Sequence, residues 1–348
     1  MIVGRVLGRR AFGSARESAG AKFRKLMMEA HNTKRPLQIV GATSAYTGRM
    51  AQNIGFQAVY VSGGGVALAN LGVPDLGVTG LDDVLVDVRR LTRVTTVPAL
   101  VDIDTGFGAS IFNIERTVRD MEQAGAGAIH MEDQVSAKRC GHRPNKQVVP
   151  TGEMVSRLQA AIRGRHEMVI MARTDSLAIE GLDSAIDRCK AYVNDGGADC
   201  IFAEAVTDLA QFKKFSEALP GVPLLANLTE FGQTPLWKLD ELADVGISLV
   251  LYPLSAFRAQ SRAAEAVFKG IMADGTNKEV EKLMHHRMTT YPWPRAACGS
   301  MAASAIGGST LHSWAGIEHP LPADIFSAVQ LGKKKNINGW LTEILDHR

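Results

Sequence analysis

Eight short apolar runs recur along the chain, each followed by a stretch of different periodicity. They read PLQIVGATS, FQAVYVSGG, VPALVDIDTG, GAIHMEDQ, EMVIMARTDS, ADCIFAEAV, VPLLANLTEF and ISLVLYPLS. Within each run Val, Ile, Leu and Ala follow one another almost without polar interruption, as in strands covered on both faces. Segments between them, such as LDDVLVDVRRLTRV and LDSAIDRCKAYV, place apolar residues three and four apart, the spacing of an amphipathic helix. Eight alternating strand and helix units over about 240 residues predict an α/β chain with a (β/α)8 TIM-type barrel. A doubly wound open sheet is the alternative. It calls for a glycine-rich dinucleotide fingerprint after an early strand, and SGGGVALAN does not match GxGxxG.

Almost every run ends in polar residues: Ser44, Ser62, Asp102 and Asp104, Glu132 and Asp133, Arg173 and Asp175, Glu204, Asn227 and Thr229. Singly, each could be a turn residue. In a barrel the strand C-terminal ends converge on one mouth, so together they predict one polar pocket. Asp102 and Asp104, two apart, are expected on one face of their strand. With Glu132 on the next strand they offer three carboxylates and no thiolate or imidazole, a donor set for Mg²⁺ or Mn²⁺. A lone DxD pair is a weak signal; the third acid strengthens it.

Bulk properties narrow the classes. The net charge of +3 is too small to argue for nucleic acid, and no basic stretch is interleaved with stacking aromatics. No run of about 18 apolar residues appears, so no membrane span is expected. Four cysteines (Cys140, Cys189, Cys200 and Cys298) lack CxxC or zinc spacing, which fits a reducing compartment. Cys189 and Cys200 sit in apolar surroundings and read as buried structural thiols. The first sixteen residues carry four arginines and no acid. Residues 1–20 therefore read as a basic leader, either a mitochondrial transit peptide placing the chain in the matrix or the N-terminus of a bacterial cytoplasmic protein.

Cys140 is different. The stretch MEDQVSAKRCGHRPNK surrounds it with Lys138, Arg139, His142, Arg143 and Lys146. Like charges crowded in this way repel unless an anion neutralises them, and a polycarboxylate substrate is the anion this loop predicts. The same repulsion predicts a loop, from about Ser136 to Lys146, that is mobile when empty and orders over a bound dicarboxylate.

VYVSGGG, DIDTGFG, EDQVSAKRCGH, ARTD and NLTEFGQTP resemble the isocitrate lyase/phosphoenolpyruvate mutase superfamily. KRCGHRPNK and LYPLSAFRA are most similar to its methylisocitrate-cleaving branch. The likeness spans about Ala21 to Arg287, so residues 21–287 are expected to form the catalytic barrel. Isocitrate-cleaving members carry KKCGH and a substantial insertion, and phosphonate-processing members lack the loop cysteine. The resemblance implies a Mg²⁺-assisted retro-aldol cleavage of (2S,3R)-2-methylisocitrate to pyruvate and succinate, as in propionate catabolism. It implies Asp102, Asp104 and Glu132 around the metal, the last two largely through waters. Cys140 would protonate the succinate carbanion, His142 and Lys138 would tune it, and Tyr60 would meet the reacting hydroxyl. Ser62, Gly63, Gly64, Gly141, Arg173, Glu204, Asn227, Thr229, Arg258 and Arg287 would bind the small tricarboxylate. A homotetramer is implied as well.

After about Met288 the likeness ends. Residues 288–348 hold three of the four tryptophans among Pro, Gly, Ser and Ala, unlike the C-terminal helix that the superfamily exchanges between subunits. Three classes follow: the methylisocitrate-cleaving enzyme, another superfamily lyase or hydrolase acting on isocitrate, dimethylmalate or oxaloacetate, and an inactive descendant with a damaged tail.

Overall fold

The computed structural model describes residues 17–139, 141 and 145–285, and every apolar run is a strand in it. The strands are β1 (Leu37–Gly41), β2 (Ala58–Val61), β3 (Ala99–Asp102), β4 (Ala128–Glu132), β5 (Val169–Thr174), β6 (Cys200–Ala203), β7 (Leu224–Asn227) and β8 (Leu249–Tyr252). Each pairs in parallel with the next, and β8 pairs with β1 through Ile39 opposite Leu251, closing the barrel. The open-sheet alternative is thereby excluded.

The absence of alternation in the runs has a plain cause: both faces of each strand are buried. Ile39, Tyr60, Leu100, Met171, Phe202 and Leu251 point into the barrel. Their neighbours Val59, Val101, Ile170, Ile201 and Val250 point outward, against the helices. In Leu81–Thr92 the buried residues are Val84, Leu85, Val88 and Leu91, one stripe at three and four spacing. Asp82 and Asp83 in its first turn and Arg89 and Arg90 in its last complement the helix dipole.

The bottom of the barrel is closed by the helix Ala19–Thr33. Ser18 caps it, its Oγ accepting from the Ala21 N–H at 3.0 Å. Phe23, Met27 and Ala30 then reach the interior cluster. This helix begins inside the stretch read as leader. The compact unit containing the barrel ends at Leu283, and the divergent tail lies outside the described residues.

Ser44 serves the fold rather than the mouth, forming a capping box with Thr47 at the start of Ala45–Ile54. Gly41, at the end of β1, is required by close approach: a Cβ there would lie 1.7 Å from the Pro253 carbonyl oxygen. Gly41→Ala is expected to destabilise by about 1–3 kcal/mol, read as a lower urea midpoint with an unchanged slope.

Candidate active site

The inward parity of the strands builds the mouth. Interior positions two apart run Tyr60 on β2, Leu100 and Asp102 on β3, and Ala128, His130 and Glu132 on β4. They continue with Val169, Met171 and Arg173 on β5, then Phe202 and Asn227 on β6 and β7. Apolar side chains fill the lower layers and polar ones the last. Cross-strand register sets Asp102 beside His130 and Glu132 beside Arg173. A cavity of about 90 Å³ results, lined among others by Tyr60, Ser62, Gly64, Asp102, Glu132, Lys138, Gly141, Arg173, Glu204, Asn227, Thr229 and Arg258. A larger recess, about 520 Å³, opens at the opposite end beside Glu29, Arg35 and Phe56. It gathers none of the strand-end residues, so size does not mark the site.

One wall is acidic. Asp102 Oδ2 accepts from the Gly63 N–H at 3.2 Å and lies 3.4 Å from the Tyr60 hydroxyl, while Oδ1 accepts from the Asp104 N–H at 3.0 Å. The Gly63 amide thus donates to this acid. A Cβ on Gly63 would lie 3.0 Å from Asp102 Oδ2, and one on Gly64 3.0 Å from Asp75 Oδ2, so these glycines let the backbone close on the acids. The shared strand face for Asp102 and Asp104 is corrected. β3 ends at Asp102, and Asp104 turns into the left-handed region at φ 48°.

Burial opposes the charge on Asp102, yet surrounding cations outweigh it and hold the carboxyl at about 2. The largest of these charges is His130, protonated in the acid range where Asp102 titrates; burial holds that imidazole down at about 4, so at neutral pH the cations beside Asp102 are Lys138 and Arg173. Burial and the Asp102 charge push Asp104 up to about 7. Burial also raises Glu132 and the Tyr60 phenol well above their ordinary values, Asp102 adding to the latter. Tyr60 is therefore a phenol, 2.9 Å from His130 Nε2.

The opposite wall is cationic. Arg173 Nη2 lies 3.3 Å from Glu132 and 3.5 Å from Glu204, its guanidinium over the Phe202 ring. Asn227 Nδ2 donates to Glu204 Oε2 at 3.2 Å. Arg258, at the start of the helix Ser255–Asp274, donates to Thr229 Oγ1 at 3.2 Å and pairs with Glu230. It lines the cavity and is only partly exposed, rather than standing free in solvent.

The basic loop is not uncompensated. Lys138 is buried, its Nζ 2.5 Å from Asp75 Oδ1 and 2.6 Å from Asp104 Oδ1. Burial alone would lower its pKa, but Asp104, Asp102, Glu132 and Asp75 raise it, so it stays an ammonium. Lys146 is buried on Asp175 at 2.8 Å. Arg139 exchanges hydrogen bonds with Gln134 across its backbone, at 2.9 and 3.0 Å. Two of the five basic side chains are thus neutralised by the protein's own acids, correcting the premise that only a substrate could do so. Cys140, His142, Arg143 and Arg287 lie outside the described residues. Asp75 and His130 escaped the sequence reading. His130 shares the inward parity of Glu132 and could have been found; Asp75, in an irregular loop, carries no local signal.

Among the described residues, the buried side-chain atoms without a hydrogen-bond partner are Asp104 Oδ1, His130 Nδ1, Glu132 Oε1 and Asn227 Oδ1, all at this mouth. Asp104 Oδ1 has the Lys138 ammonium 2.6 Å away as an ion-pair partner, which leaves Glu132 Oε1 as the carboxylate oxygen with nothing facing it among the described residues. Buried orphan acceptors call for an ion or water, and these carboxylate oxygens belong to Asp104 and Glu132, the acids expected to reach a hard divalent cation through waters. Among the described residues no three acids or imidazoles converge into a ready ligand set. One or two direct ligands, with waters completing the shell, is the arrangement that fits.

Comparison with known proteins agrees with this chemistry. Residues 26–272 match the family model described as phosphoenolpyruvate phosphomutase. The 2-methylisocitrate lyase of Vibrio cholerae is 54% identical over 283 residues, 79% of this chain and 90% of that protein. The 2-methylisocitrate lyase of Escherichia coli is 52% identical over 276 residues, covering 79% and 91%. Among solved structures, 2,3-dimethylmalate lyase superposes with a TM-score of 0.75 at 29% identity, covering 84% of this chain and 99% of that one. Phosphonopyruvate hydrolase in complex with oxalate and Mg²⁺ gives 0.68 at 26%, covering 80% and 96%. A closed parallel barrel with its polar residues gathered at the strand C-termini, and relatives of this identity over most of both chains, lead to one statement: the chain belongs to the phosphoenolpyruvate phosphomutase family, in the company of its 2-methylisocitrate lyases.

Proposed function

We propose that the chain is a carbon–carbon lyase that cleaves (2S,3R)-2-methylisocitrate into pyruvate and succinate with a divalent metal, Mg²⁺ or Mn²⁺. The observation that carries it is a single cavity with a carboxylate wall on one side and Arg173, Arg258, Asn227 and Thr229 on the other. Such a cavity suits a substrate bearing several carboxylates and a hydroxyl. Curated relatives at 52–54% identity bearing the name 2-methylisocitrate lyase support the choice within the family.

Asp102 would hold the metal directly, with Asp104 and Glu132 acting largely through waters. When bound, the metal supplies positive charge that lowers the cost of ionising the substrate hydroxyl and of charge building on the pyruvyl oxygens. The remaining work falls to side chains. Arg173 and Arg258 bind carboxylates, Arg173 braced by Glu132, Glu204 and Asp175. Tyr60, kept protonated, donates a hydrogen bond towards the reacting hydroxyl oxygen, which becomes the keto oxygen of pyruvate. A carboxylate of the acidic wall would take the hydroxyl proton, and the oxygen's electron pair forms the pyruvyl C=O as the C–C bond breaks. The C–C pair passes to the succinate carbon, where Cys140 delivers the proton that completes the C–H bond.

Incubation with 2-methylisocitrate and Mg²⁺ should yield equimolar pyruvate and succinate by proton NMR. EDTA should stop the reaction and added Mg²⁺ or Mn²⁺ restore it. Full turnover in excess EDTA would remove the metal from the account.

Assembly as a homo-oligomer, a tetramer by family likeness, belongs to the same proposal. The helix Ser255–Asp274 has no buried residue and leaves Phe268 70% and Met272 86% exposed, an apolar surface that a second copy would cover. Light scattering coupled to gel filtration should report a mass above that of one chain. No helix among the described residues is long and apolar enough to cross a membrane. Residues 1–16 of the leader lie outside the described residues, and the curated relatives reported above are bacterial, which gives its transit-peptide reading no support.

A further inference from the structure

We infer that Asp175 is a positioning residue, one buried carboxylate that fixes both the guanidinium of Arg173 and, through Lys146, the backbone of Gly141 lying against it. The inference rests on the cavity being the substrate site proposed above. Asp175 is fully buried and does not line the cavity. Its Oδ2 accepts from Arg173 Nε at 2.9 Å and its Oδ1 from Arg173 Nη2 at 3.2 Å, a two-point grip that sets the guanidinium plane. The same Oδ1 accepts from Lys146 Nζ at 2.8 Å. Lys146 gives a second hydrogen to the Gly141 carbonyl at 2.5 Å.

Gly141 completes the circuit. A Cβ on it would lie 2.4 Å from Arg173 Nη2 and 2.6 Å from Glu204 Cγ, so its bare backbone rests on the arginine. Asp175, Lys146, Gly141 and Arg173 form a closed ring of contacts, with the carboxylate as the shared acceptor. That carboxylate is itself anchored. The Asp175 N–H donates to Asp133 Oδ1 at 2.9 Å, and Asp133 Oδ2 accepts from Thr174 Oγ1 at 2.7 Å and from the Tyr192 hydroxyl at 2.8 Å. Asp133 is fully buried as well. The barrel thus holds Asp175 still, and Asp175 holds the substrate arginine and the loop glycine in mutual register.

A test must separate positioning from plain stability. Asp175→Asn leaves Lys146 as a buried cation without its acid, which is strongly destabilising, whereas removing both charges together is far less so. Asp175→Asn and Lys146→Met should each lower the thermal midpoint, and the double variant should regain most of that loss. Activity should behave differently. All three variants should lose on the order of 10²-fold in kcat/KM, since misplacement of about 1 Å at a reacting centre has that effect. In ligand-free enzyme, amides of residues 145–149 should exchange hydrogen faster in all three. Recovery of kcat/KM along with stability in the double variant would overturn the inference, as would wild-type kcat/KM or unchanged exchange in Asp175→Asn. The exchange readout needs no substrate. If wild type fails to cleave 2-methylisocitrate, the functional reading falls while exchange and thermal midpoints still decide the role of Asp175.

Discussion

Asp102→Ala is expected to lower kcat/KM by on the order of 10³-fold, the upper range for losing one preorganised electrostatic contact to the reacting atoms. Two roles converge on this acid. It carries full charge at neutral pH, because nearby cations outweigh its burial, and it is the proposed direct metal ligand. It also fixes its surroundings, since its two oxygens take the Gly63 and Asp104 amides. Asp102→Asn keeps oxygen and shape but not charge, and should fall nearly as far. Asp104→Ala should lose less. Asp104 is already paired with Lys138 at 2.6 Å and is pushed up to about 7 by burial and Asp102. Steady-state kinetics on variants with native circular dichroism provide the check, and equal losses at the two positions would contradict the division of labour.

Cys140→Ser is expected to bind pyruvate and succinate nearly as well as wild type, yet to cleave roughly 10²- to 10⁴-fold more slowly, the usual range for a general acid. A serine hydroxyl has similar shape and is a far weaker acid. The two described cysteines sharpen the prediction. Cys189 and Cys200 are wholly buried, and burial pushes both thiols well up, so neither supplies an accessible thiolate. Iodoacetamide should therefore modify Cys140 ahead of either, and substrate should slow the reaction. Peptide mapping after partial inactivation reads this directly. Wild-type turnover by Cys140→Ser would move the proton elsewhere, with His142 the next candidate.

Most of the barrel was legible because burial on both faces leaves a signature in composition, and all eight runs carry it. The mouth was legible because the last inward position of several strands is polar, as with Asp102, Glu132, Arg173 and Asn227. What escaped the sequence has a common physical origin. Lys138 finds Asp75 63 residues away, and Lys146 finds Asp175 29 away. Reading charges by their neighbours along the chain made the loop look uncompensated. Strand parity puts Asp104 on the Asp102 face, but parity stops applying where the backbone leaves the strand at Asp102. His130 sits inside an apolar run that hides it, although its parity matches Glu132, and it stacks on Tyr60 with ring centroids 5.7 Å apart.

The most direct test is the ratio of kcat/KM for (2S,3R)-2-methylisocitrate to that for isocitrate, measured with Mg²⁺ and with both keto products quantified. The account predicts pyruvate from 2-methylisocitrate as the strongly favoured reaction, and little or no glyoxylate from isocitrate. Glyoxylate formed from isocitrate at equal or higher kcat/KM would contradict it.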